Sequence, residues 1–168
     1  MLTLGLISVL SSVFFYVFVD APLCEYVIPE EQLPVYWIPI SLIMFLFTYG
    51  MTLGPLLWNF ENKTREDYIG VTLLIATPLI LVSSGILDVI SASVIEYLSR
   101  REPLNWLNYE NWWWMDPYPI NGLSIPWSIP WFVSLVLGHA HTLTTDVLIG
   151  STIGLGTLVF LWVVYARS

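Results

Sequence analysis

The sequence predicts an all-α, polytopic integral membrane protein, and three observations predict it. Of 168 residues, 57% are hydrophobic and only 11% charged, whereas a soluble domain carries roughly 25% charged residues. Four apolar segments, residues 2–19, 35–58, 68–93 and 131–165, each approach or exceed the ~20 residues that cross a hydrocarbon layer. The connection between the third and fourth, residues 96–131, holds six of the nine tryptophans and five prolines. Tryptophan favours the headgroup zone because its ring is apolar while its N–H seeks water. The expected fold is four transmembrane helices in one membrane domain, residues 1–168, with a Trp/Pro-rich interfacial connection between helices 3 and 4.

Residues 2–19 contain no charge. The segment lacks the basic start and small-residue cleavage site of a signal peptide and is expected to be retained, ending where Asp20-Ala21-Pro22 begins an acidic connection. The second segment carries Pro39, Gly50, Gly54 and Pro55, and the third carries Pro78. Prolines inside membrane helices kink rather than end them, so Pro55 and Pro78 predict kinks. The last apolar region, residues 129–165, is too long for one upright span. Counting back about 22 residues from Tyr165 brings the chain into the membrane near Leu143 and leaves 131–141 at the opposite interface.

Four spans put both termini on one side. Lys63, Arg65 and Arg167 share that side against Arg100 and Arg101, which favours cytoplasmic termini, in the cell membrane of a prokaryote. A formal charge of -8 argues against nucleic acid, and one cysteine, Cys24, excludes an internal disulfide or a multi-cysteine metal site.

Ionisable groups inside spans are costly and are functional candidates for that reason. Asp88 falls in the third segment and Asp146 in the fourth, with Glu96, His139 and His141 nearby in sequence. All five are expected at the outer end of helices 3 and 4. At ~100° per residue His139 and Asp146 share a helix stripe, whereas His141 points away. The candidate metal constellation is therefore His139, Asp146 and Asp88, an imidazole and carboxylate set that suits iron, copper or zinc. The same residues also fit interhelical hydrogen bonding or a proton relay. Gly150, Gly154 and Gly156, with Ser151 and Thr152, are expected to pack helices closely. No nucleophile elbow, H-E-x-x-H or phosphate loop is present in the sequence.

The stretch Val136-Leu137-Gly138-His139-Ala140-His141-Thr142-Leu143 resembles the G-H-x-H segment of short membrane proteins related to haem-copper oxidase and nitric-oxide-reductase catalytic subunits. The resemblance implies that His139 and His141 bind a cofactor, haem, copper or iron. This chain has only those two histidines, so a partner subunit would have to complete the coordination. Together these features favour a small, non-catalytic accessory subunit, with other membrane subunits and the lipid bilayer as partners, in a respiratory or other electron-transfer, oxidase or oxygenase assembly. The competing expectation is a stand-alone membrane-embedded metal-dependent enzyme or proton-coupled transporter that uses the His139/Asp146/Asp88 cluster.

Overall fold

The computed structural model describes residues 1–28, 33–58, 64–101, 103, 119–120, 123–124, 129–137 and 143–167. The first apolar segment forms α1 (Leu2–Phe15), which passes through a π-helical turn (Tyr16–Asp20) into α2 (Ala21–Tyr26). The expected end at Asp20 is therefore wrong, and the reason is the wide turn. The Ala21 N–H bonds the Tyr16 carbonyl five residues back, and opening the turn relieves the clash of the Pro22 ring with the carbonyl four residues earlier. The helix Leu2–Leu23 is long and apolar enough to cross a bilayer. Asp20, expected at the start of an acidic connection, is instead buried within the helix.

The second segment is one helix, α3 (Leu33–Trp58), of 26 residues. The third is not one helix. It divides into α4 (Arg65–Ser83) and α5 (Ile86–Arg100) at Ser84-Gly85. Pro78 lies inside α4 and does not end it. Gly85 does, because its φ of 76° is a left-handed conformation that side chains resist. At the other end α4 opens with a capping box, in which Thr64 and Asp67 exchange side-chain and backbone hydrogen bonds.

Pro78 has no N–H to donate to the Leu74 carbonyl four residues back, and α3 adds a hydrogen bond at the neighbouring carbonyl. The Tyr49 hydroxyl donates to the Ile75 carbonyl at 3.0 Å, in the turn that the proline opens. Tyr49→Phe is expected to lower stability by about 0.5–1.5 kcal/mol, the net worth of one such bond. Thermal melting of the two proteins in the same detergent measures it.

The last region forms α6 (Ile129–Leu137) and α7 (Leu143–Arg167). α6 packs extensively on α7. Its Pro130 meets Gly150 so closely that a Cβ on the glycine would lie 2.6 Å from the Pro130 ring. The region is thus a helix pair, not one tilted helix. The only strands among the described residues are β1 (Pro119–Ile120) and β2 (Leu123–Ser124), which pair antiparallel.

Three helical stretches, Leu2–Leu23, Arg65–Ser83 and Thr144–Arg167, are long and apolar enough to cross a membrane, and α3 adds the shorter apolar stretch Pro39–Gly54. The start of α1, the start of α4 and the end of α7 meet at one end of the bundle, where Met1 and the Tyr165 hydroxyl both approach Gly70. Trp162 ties the middle together. Its ring covers Gly5 of α1, and its N–H donates to Thr77 of α4 at 3.1 Å.

Burial is inverted relative to a soluble domain. Leu2, Leu6, Leu10, Phe14 and Phe18 form an exposed stripe on α1, while Ser8, Ser12, Thr48, Thr52, Thr77 and Ser84 are buried. Large side chains face outward and small hydroxyl residues fill the contacts between helices, the arrangement that close packing in lipid favours. The largest apolar cluster, with Phe15, Ile40, Met44, Leu81, Leu87 and Leu158, joins α1, α3, α4, α5 and α7.

Candidate functional site

The buried acids collect at the end of the bundle away from the chain termini. At ~1.5 Å per residue, Tyr16 lies about 21 Å along from Leu2, Ser84 about 28 Å from Arg65 and Asp146 about 32 Å from Arg167. The last two distances are close to the ~30 Å thickness of a hydrocarbon layer, and Tyr16 lies about 9 Å short of it.

Asp88 sits in the first turn of α5, where unpaired backbone N–H groups favour a carboxylate. Its position follows from the break at Gly85 and from a clamp just before it. The Ser151 hydroxyl donates to the Ser84 carbonyl at 3.3 Å, and Gly154 presses directly on Ser84. With α5 so placed, the Tyr16 hydroxyl donates to Asp88 Oδ1 at 2.7 Å. Asp20 follows Tyr16 by four residues in the π-helical turn, is 5% exposed, and lies near enough for its charge to act on Asp88. Asp88 and its neighbours form a phenol and two carboxyls drawn from two elements.

Asp146 occupies the first turn of α7 and is 1% exposed. Its Oδ1 has no hydrogen-bond partner among the described residues. A buried acceptor left unpaired costs about 1–3 kcal/mol. Asp146 therefore differs from Asp88, one of whose oxygens is already taken by Tyr16.

Of the constellation expected from sequence, Asp88 and Asp146 are both placed near this end, but the groups shown beside Asp88 are Tyr16 and Asp20. Among the described residues no three His, Cys, Asp or Glu side chains gather in a way that could hold a metal. His139 and His141 lie outside the described residues, as does most of the Trp-rich connection. Glu96 lies on α5, partly buried. If a metal binds here, Asp146 is the described carboxylate with an oxygen to give, and the histidines would supply the nitrogen ligands.

Sequence reasoning missed Tyr16 and Asp20. The signal was a spacing of four: Ser8, Ser12, Tyr16 and Asp20 are the polar positions on one side of an otherwise apolar helix, and all four are buried. Ending the first span at residue 19 hid that line. No protein family, curated protein or solved structure matches the chain, so the chemistry of this end is argued from its own geometry.

Proposed function

We propose that the chain is a four-span integral membrane protein that serves as a small, non-catalytic accessory subunit of a larger membrane complex of respiratory or other redox type. In this reading α3 is the fourth span, since 26 helical residues reach about 39 Å. The cell membrane of a prokaryote, with cytoplasmic termini, is the corresponding location.

The observation that carries the subunit reading is the contrast between two pairs of glycines. Gly150 and Gly154 of α7 are filled from within the chain, by Pro130 and Ser84. Gly50 and Gly54 of α3 have the same spacing, yet a Cβ at either would meet nothing within 4 Å. Ile43 and Phe47 continue the Gly50 and Gly54 stripe and are exposed. A notch of this kind lets another membrane helix approach closely. The redox character rests on the G-H-x-H segment, with His139 and His141 as ligands that a partner completes.

Extraction of the native protein in mild detergent tests the proposal. Partner subunits should co-purify in fixed proportion, and a Gly50→Leu, Gly54→Leu double variant should be released from them while still folding. Haem absorbance or bound copper or iron should fall in a His139→Ala variant. A lone chain with its own turnover would overturn the subunit reading and favour a proton-coupled transporter, which the buried aspartates support, or a metal-dependent enzyme.

A further inference from the structure

Neither α1 nor α3 bears a charge, yet the contact between them is polar. Ser8 and Ser12 of α1 and Thr48 and Thr52 of α3 are each 0% exposed. Two contacts set the register. The Phe15 and Phe47 rings stand 5.9 Å apart, and Ser12 Oγ lies 3.4 Å from Thr48 Oγ1. The helices therefore run antiparallel here, and one turn from the Ser12 and Thr48 pair, Ser8 comes opposite Thr52.

The hydroxyl hydrogens of this seam are nearly all spent. Ser11 and Ser12 donate to the Ser8 carbonyl at 3.2 and 2.8 Å, and Thr52 donates to the Thr48 carbonyl at 2.8 Å. With the Ser12 hydrogen so used, the Thr48 hydroxyl is the donor in its contact with Ser12. One hydrogen is left over, that of Ser8, whose enclosed Oγ has no partner among the described residues. Against it stand unused lone pairs on Ser8, Thr48 and Thr52, since each hydroxyl oxygen can accept twice. A guest that suits the seam must accept one hydrogen bond, donate one or two, and be small enough to lie between touching helices. Water meets all three conditions. A monovalent cation would take the lone pairs but give the Ser8 hydrogen nothing to bond, and neither helix has a carboxylate to balance its charge.

We propose that one water molecule is bound between α1 and α3, accepting from the Ser8 hydroxyl and donating to Thr52 Oγ1 and Thr48 Oγ1. The level of Ser8 and Thr52 and that of Ser12 and Thr48 are one turn, about 5.4 Å, apart, so a water midway reaches both at ordinary hydrogen-bond length. The bridge gives the α1 and α3 contact the hydrogen bonds that its side chains, turned back on their own helices, do not make directly. It also leaves α3, whose outer face carries Gly50 and Gly54, joined to α1 by bonds that break and re-form without unwinding either helix. The inference rests on α3 lying in the membrane as proposed above, but not on the partner subunits.

Solid-state NMR of the full-length chain in lipid bilayers, with magnetisation started on water and read at side-chain carbons, tests it. The Ser8 and Thr52 signals should build up several-fold faster than that of Thr77, which is equally buried but bonded to the Leu73 carbonyl and to Trp162. The exposed Thr64 supplies the wet reference. Ser8→Ala should slow the build-up at Thr52 and Thr48, because the Ser8 hydroxyl is the donor that holds the water. Thr52→Val should slow it at Ser8, and serves alone if Ser8→Ala does not fold. Melting temperatures in sodium, potassium and choline chloride should be equal. Build-up at Ser8 as slow as at Thr77, or transfer unchanged in the folded variants, overturns the proposal, as does a melting temperature raised by sodium or potassium, which would put a cation in the seam. Because the chain is measured alone, failure here is distinct from failure to find partner subunits.

Discussion

Gly154→Ala is expected to destabilise the protein by about 1–3 kcal/mol, the cost of forcing an extra carbon into a packed contact, although alanine is the better helix former by about 1 kcal/mol. The reason is where the carbon would go. A Cβ on Gly154 runs into the Ser84 Cβ and lies 2.7 Å from its Oγ, with the Ser84 backbone directly behind at 3.6 Å. A flexible side chain could swing away, but here the short serine caps the end of α4 and its carbonyl is bonded to Ser151. Leucine at the same position should push α4 off α7 altogether. Gly156, two residues on, supplies the control. A Cβ there meets nothing within 4 Å, so Gly156→Ala should be neutral or stabilising by up to about 1 kcal/mol. Melting temperatures of the variants in one detergent decide the matter, and equal effects at the two glycines would refute the close contact.

The helical class and the long apolar stretches were legible because a bilayer-length helix must be apolar over many consecutive residues, a signal that survives local irregularities. What was not legible depended on single backbone conformations. Pro22 looks like a stop because a proline normally ends the hydrogen-bond ladder, yet one widened turn at Tyr16–Asp20 absorbs it and carries the helix on. Gly85 looks like one more glycine in a membrane helix, yet its positive φ divides the third segment and turns Asp88 from a residue near the end of a long span into one in the first turn of a new helix. These two misread positions flank the same group of side chains. Asp88 was named from sequence because a charge in an apolar run is conspicuous, while Asp20 was lost because it stood at an apparent helix end. The Gly150 and Gly154 pair was anticipated as a packing face, but only coordinates could assign one to Pro130 and the other to Ser84.

Asp146→Ala is expected to act in the opposite direction to Gly154→Ala, raising stability while removing function. Three contributions set the sign. Removing a carboxyl whose Oδ1 is enclosed without a partner among the described residues recovers about 1–3 kcal/mol. Alanine adds up to about 0.7 kcal/mol in helix propensity. Against these stands the loss of a carboxylate from the first turn of α7, worth about 0.3–1 kcal/mol at a helix N-terminus. The small cavity left by the shorter side chain offsets part of the rest, and a net gain of about 1–2 kcal/mol remains. Under the proposed function, a residue that costs the fold this much would be kept to accept a hydrogen bond or a metal ion. The measurement pairs a melting curve of the isolated chain with metal content and activity of the native assembly. Higher stability with lost metal or activity assigns Asp146 to the site. Lower stability in the isolated chain would mean that its carboxyl is held by the fold after all, and would leave Tyr16, Asp20 and Asp88 as the functional centre of this end.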